Sequence, residues 1–268
     1  MTPDLLQFAA LAVAAGIVVG LLAGLLGIGG GLILVPVLFE LITALGAEPA
    51  TAMRAAIATS LVSIIATGLR SARSHNRLAA LDAGLIRAWA PSMVAGSLLG
   101  AEVATRVEAA FLLRAFAVMT VILALHMAFG RREWRLGDAP PAPVWRVFGG
   151  GFVGFLAGLL GLGVAGIGVP LMTLFNATVR AAVPVVALIG ALAATFAAVR
   201  FVIAGYGDAH LPPFSLGYVN VLGCVLIVPV AMLATPLGAA WSHRVSQRAL
   251  RRIFAAFLAL NAVRMLLF

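Results

Sequence analysis

Charge is scarce in this 268-residue chain: 10% of the residues are charged, against 63% hydrophobic. A soluble domain of this length needs far more polar surface, so that class is excluded. Cysteine is nearly absent. Cys224 stands alone in an apolar run, which leaves neither a disulfide framework nor a thiolate metal cluster. His75, His126, His210 and His243 are scattered without ligand spacing, so no metal site is expected. No Gly-x-x-x-x-Gly-Lys-Ser/Thr loop occurs, so no ATP-driven cycle is expected, and no cofactor. No nucleophile pairs with a base at mid-depth of an apolar run, which argues against an intramembrane enzyme. The amino end, Met1-Thr2-Pro3-Asp4, lacks the basic region of a signal peptide, and residues 5 to 26 are expected to be retained. The net charge of +9 does not point to nucleic acid, because the arginines sit in short loops between apolar runs.

What is present is apolar sequence, with a mean hydropathy of +1.13. About 20 apolar residues cross the hydrocarbon core, and several runs here are that long. The expected class is an all-α polytopic membrane protein with eight to ten segments. The first repeat reads Leu5 to Leu26, Leu32 to Leu45, Thr51 to a basic loop at Arg70–Arg77, Leu81 to Ala104 with a kink at Pro91, and Ala109 to Phe129. Residues Arg131 to Val144 form the linker. The second reads Val147 to Leu162, Gly166 to Phe175, Ala181 to Gly205, Leu216 to Trp241 and Leu250 to Phe268.

The glycines organise this plan. Gly20, Gly24, Gly27 and Gly29-Gly30-Gly31 lead to Val35-Pro36, and each glycine costs a helix about 1 kcal/mol relative to alanine. The run should break, or admit another backbone, near its centre. Adding 134 to Gly20, Gly24, Gly27, Gly29 and Pro36 lands on Gly154, Gly158, Gly161, Gly163 and Pro170. Gly100-Ala101, Arg106, Arg114 and Phe116 recur 138 positions later, and Arg54-Ala55-Ala56 recurs at Arg180-Ala181-Ala182. The chain is therefore read as two copies, residues 1–137 and 138–268. Arg70, Arg73 and Arg77 crowd one loop of the first copy, whereas the equivalent loop of the second carries Asp208 and His210. The His243–Arg252 stretch is conversely more basic than its counterpart. Equivalent loops of opposite charge bias belong on opposite faces, which predicts inverted repeats with both termini outside.

Inverted repeats with broken helices are a transporter architecture, with the substrate at the midplane. A helix that starts inside the membrane has unsatisfied N–H groups and a positive dipole end, both suited to an anion. Gly29, Gly30, Gly31, Gly163 and Gly166 are the candidate donors, and close helix packing is the alternative use of such glycines. Thr59 and Ser60 lie near mid-depth of their span and are candidate ligands, against the alternative that they bond back to their own helix. Their counterparts are Val185 and Val186. Asn220 is a further candidate, or a helix-to-helix amide. Arg200 is read as snorkelling to the outer mouth, where it would steer anions. Arg264 is read in the same way as Arg200, and Glu40, Glu102 and Asp82 are read as solvated helix ends, with a proton relay as the alternative.

The Gly24-to-Pro36 motif, the Ala58-Thr59-Ser60-Leu61 run and the second copy at Gly158 to Pro170 resemble the TauE/SafE family of sulfite and sulfonate exporters. The resemblance covers nearly the whole chain. It implies a bacterial inner-membrane exporter of small sulfur anions such as sulfite, sulfoacetate, other sulfonates or thiosulfate. Val185-Val186 stand where relatives often repeat a Thr-Ser pair, and the lone Cys224 argues against a cysteine relay for thiosulfate. A coupling proton or sodium ion, an uncoupled anion channel and an uptake permease all remain open at this stage.

Overall fold

The computed structural model describes residues 3–26, 30–76, 81–129, 142–175, 177–242 and 247–266. Ten helices occupy them: α1 (Pro3–Leu26), α2 (Gly31–Ala44), α3 (Pro49–Asn76), α4 (Ala83–Arg106), α5 (Ala109–Phe129), α6 (Pro143–Leu160), α7 (Ala165–Leu174), α8 (Val179–Ala204), α9 (Val221–Ser242) and α10 (Gln247–Leu266). Two short strands, β1 (Ser215–Leu216) and β2 (Val219–Asn220), pair antiparallel before α9. Among the described residues, the stretches Pro49–Ala72, Pro143–Leu160, Ala181–Ala204 and Val221–Gly238 are long and apolar enough to cross a membrane.

Local chemistry sets several boundaries. Asp82 caps α4 by accepting from the N–H groups of Gly84 and Leu85 at 2.8 and 3.0 Å. Thr178 caps α8 through Ala181 N–H, and Pro143 opens α6, where its missing N–H costs nothing. Gly161 ends α6 with φ 67°, a left-handed value that favours glycine.

Three boundaries depart from the sequence expectation. The basic stretch from Arg70 continues α3 to Asn76, since no glycine or proline follows Gly68 to stop it. Of the expected linker, residues 131–141 lie outside the described residues, while Pro143 and Val144 already belong to α6. The ninth segment starts at Val221, not Leu216. Pro212-Pro213, Phe214 at φ 62° and Gly217 at φ 54° turn the chain through the β1–β2 hairpin first.

Helix pairing crosses between the two halves. α4 lies along α6, α1 along α9, α3 against α8, and α5 against α10. Glycines make the first two pairings close. The position a Cβ would take on Gly154 is 2.0 Å from the Met93 carbonyl oxygen, and that on Gly20 is 2.4 Å from the Ala231 carbonyl oxygen. The offsets of the sequence relate these two contacts: 154 less 134 is 20, and 93 plus 138 is 231. Gly100 over the Phe155 carbonyl likewise matches Gly238 over the Leu21 carbonyl. Backbones can approach this far only where no side chain intervenes, which supplies the van der Waals contact that lipid cannot. α2 is almost wholly enclosed, with Val35, Leu38, Phe39 and Ile42 buried beside Met53, Ala56 and Ile57 of α3.

Candidate functional site

The two broken hairpins meet. A Cβ on Gly31 would lie 2.5 Å from the Gly161 carbonyl oxygen and 2.8 Å from that of Leu162. Both helices that start at the breaks do so without a side-chain cap. At α2, Gly30 O accepts from the N–H groups of Ile33 and Leu34 at 3.2 and 2.9 Å. At α7, Val164 O accepts from Ile167 and Gly168 at 3.3 and 2.7 Å. Helix α7 therefore makes no use of the N–H groups of Ala165 and Gly166, while residues 27–29, which precede the equivalent groups of Gly31 and Leu32, lie outside the described residues. Gly163 has φ 75° and faces the side chain of Ile64 on α3. Gly29 lies outside the described residues.

Helix α3 supplies the side chains next to this junction. Ser60 Oγ donates to Gly161 O at 2.9 Å, tying α3 to the second break across 101 residues of sequence. Thr59 Oγ1 accepts the Asn220 backbone N–H at 3.0 Å, which leaves its own proton to donate. Both residues are buried. Asn220, 1% exposed, accepts from Gly223 N–H at 2.7 Å in the manner of an N-cap and donates through Nδ2 to Pro213 O at 3.1 Å. Cys224 Sγ is 3.9 Å from Thr59 O. Gly31, Thr59, Ser60, Gly161, Gly163 and Asn220 are thus joined in one connected neighbourhood, and Val185 and Val186 are buried in a separate apolar cluster with Val164.

Arg200 is held elsewhere. Its Nε donates to Glu102 Oε2, and Glu102 Oε1 in turn faces Arg106. The arginine read from sequence as a steering charge at the mouth also ties α8 to α4 through this ion pair. Glu102, read as a solvated helix end, stands between Arg200 and Arg106 and is partly exposed. The pair spans 98 residues of sequence and has no local signature. Arg54 also went unweighted by the sequence, although its duplication at Arg180 was the available signal. Its guanidinium donates to Val107 O at 2.9 Å and lies 5.8 Å from the centre of the Tyr218 ring. In the connecting segment, the backbone N–H of His210, with its imidazole and the Tyr218 hydroxyl, holds the Asp208 carboxyl below the usual carboxylate range. No group of three or more metal-ligating side chains occurs among the described residues.

A family model described as sulfite exporter TauE/SafE matches residues 12–265. The chain belongs to the TauE/SafE family. Relatives of this TauE/SafE protein include a probable membrane transporter protein of Haemophilus influenzae, 28% identical over 97% of this chain and 98% of its own length. Another, also named a probable membrane transporter protein, comes from Methanocaldococcus jannaschii and is 23% identical over 94% of this chain and 93% of its own. No solved structure matches the chain significantly. This TauE/SafE protein is a multi-pass membrane transporter, and its uncapped helix starts lie within the matched region.

Proposed function

We propose that this protein is a secondary transporter of a small sulfur oxyanion or sulfonate, with sulfite the first candidate and export its direction. One observation carries the reading: two helices that start without side-chain caps come together where Gly31 meets Gly161 and Leu162, beside Thr59 and Ser60. The N–H groups of Gly31, Leu32, Ala165 and Gly166, with the Thr59 hydroxyl, form the anion cradle. Gly29 completes the first break in this reading, and Asn220 positions Thr59. Such donors replace lost hydration without a fixed positive charge, so the anion binds and still leaves. Purified protein should be stabilised selectively by its substrate in a melting screen against sulfite, sulfate, sulfoacetate, taurine and thiosulfate. At a hundred times the dissociation constant the gain is about 2.7 kcal/mol. In proteoliposomes, unlabelled internal sulfite should drive uptake of labelled sulfite. Stabilisation by none of the five anions refutes the reading, and flux without counterflow makes the protein a channel.

The fold of this reading is two inverted repeats, 1–137 and 138–268, each a broken Gly-rich hairpin followed by three spans. The exchange of equivalent contacts between α1–α9 and α6–α4 supports it. In the second hairpin, α7 has ten residues, about 15 Å or half of the hydrocarbon core, whereas α6 is long enough to cross it. Single cysteines at Asp208 and Arg87, in a Cys224→Ala background, should react with an impermeant thiol reagent from outside and inside respectively. Labelling of both from one side overturns the arrangement.

A further inference from the structure

The segment from Gly205 to Asn220 does more than join α8 to α9. It folds back against α8 so closely that a Cβ on Gly217 would lie 2.2 Å from the Val202 carbonyl oxygen, and one on Gly205 2.6 Å from Tyr218 N. Tyr218, Val219 and Asn220 are buried, while Tyr206 and Phe214 at its outer part are 80% and 60% exposed. Its inner end reaches Thr59, ten residues into α3, or about 15 Å along that helix. The hairpin therefore covers the candidate site from one side.

The equivalent residue of the first copy is Asp82, since 220 less 138 is 82. Asp82 caps its helix through the same kind of side-chain acceptor as Asn220, yet it is exposed. The Thr59 hydroxyl that receives Asn220 is replaced by Val185 in the second copy, so this docking contact exists in one copy alone. Helix α4 also lies along α8 over a much longer stretch than its counterpart α9 shares with α3. Among the described residues, Asp82 therefore has no counterpart of the Asn220–Thr59 contact, and residues 77–80 before it lie outside them.

Arg54 sits where the hairpin is held. Its guanidinium lies over the Tyr218 ring, one NH2 donates to Val107 O, and its buried Nε has no hydrogen-bond partner. The other edge of Tyr218 packs T-shaped on Phe201, and its hydroxyl donates to Asp208 at 3.4 Å. A cation on an aromatic face away from bulk water is a substantial but breakable contact. Phe214, at φ 62°, adds a backbone conformation that non-glycine residues avoid.

We infer that the 205–220 hairpin is the gate of this transporter on its own side of the membrane, and that Arg54 is the positioning residue that latches it shut over Tyr218. The inference deepens the site reading above by naming what opens and closes it. The gate opens by lifting Tyr218 from Arg54 and Asn220 from Thr59, which exposes the junction of the two breaks.

The test requires no substrate, so its outcome is independent of whether sulfite is the cargo. Val219→Cys in a Cys224→Ala background is labelled with a maleimide in lipid nanodiscs, where both faces are accessible. Tyr206→Cys, at the exposed tip, serves as the reference. Val219→Cys should label far more slowly than the reference. Arg54→Ala should accelerate it about five- to tenfold, and Arg54→Lys by less, because the charge survives and the planar stack does not. Tyr218→Leu, which leaves the Arg54–Val107 bond in place, should accelerate it equally. The reference rate should stay constant throughout. Unchanged Val219→Cys labelling in Arg54→Ala, or acceleration by Arg54→Ala without Tyr218→Leu, overturns the latch. Fast labelling in the parent overturns the gate.

Discussion

Gly31→Val should stop transport while the protein still reaches the membrane. The added Cβ would fall 2.5 Å from one backbone oxygen and 2.8 Å from the next, at Gly161 and Leu162. Those neighbours are main chain held by the left-handed turn at Gly161 and by the Ser60 bond, so they cannot swing aside. Overpacking of this kind costs about 1–3 kcal/mol, and here the cost falls on the geometry of the anion cradle itself. Gly163→Val should also impair transport, through a different cause. Its φ of 75° carries a penalty of about 1–2 kcal/mol for a side chain, while its nearest neighbour is the flexible end of Ile64 at 3.2 Å. Flux and membrane abundance measured together decide the matter. Near-normal flux in Gly31→Val would remove the junction from the transport path.

Gly158→Val should act on the fold instead. Its Cβ would lie 2.0 Å from the Ser97 carbonyl oxygen, in the middle of the α4–α6 pairing. Separating these helices forfeits the packing of Gly154 on Met93 and of Gly100 on Phe155 as well. A loss of about 3 kcal/mol or more, on the order of 10 °C in melting temperature, is expected, with little folded protein recovered. Gly151→Ala on the same helix is the control. Its nearest neighbour is 3.8 Å away, so alanine should be accommodated and should gain about 1 kcal/mol of helix propensity. Melting curves of the two variants in detergent check this, and equal stability would show that the helices do not pair as described.

The sequence reading of the glycines held two uses open, close packing and a broken-helix site, and the structure shows close packing at some of them and helix breaks at others. Gly20, Gly154 and Gly158 are packing residues against carbonyls of a partner helix. Gly31, Gly161 and Gly163 shape the breaks. Spacing alone could not separate them, because both uses need the same missing side chain. What differs is the neighbour, and the neighbour of Gly154 lies on α4, far off in sequence.

Composition determined that the chain is a helical membrane protein, because the partition of side chains between lipid and water is a property of each residue alone. The recurring glycine spacing was legible for the same kind of reason: spacing along one chain needs no partner. So were the helix breaks at the glycines, since glycine acts on the backbone where it stands, whereas Pro36 and Pro170 lie inside α2 and α7. The pairings were decided by the tertiary structure. Asn220 bonds Thr59 across 161 positions, Arg200 bonds Glu102 across 98, and Arg54 stacks on a tyrosine in the other half of the chain. Helix α9 starts at Val221 because Asn220 caps it, accepting from Gly223 N–H. Each of these pairings joins groups far apart in sequence, and it forms only when the fold brings both to one place.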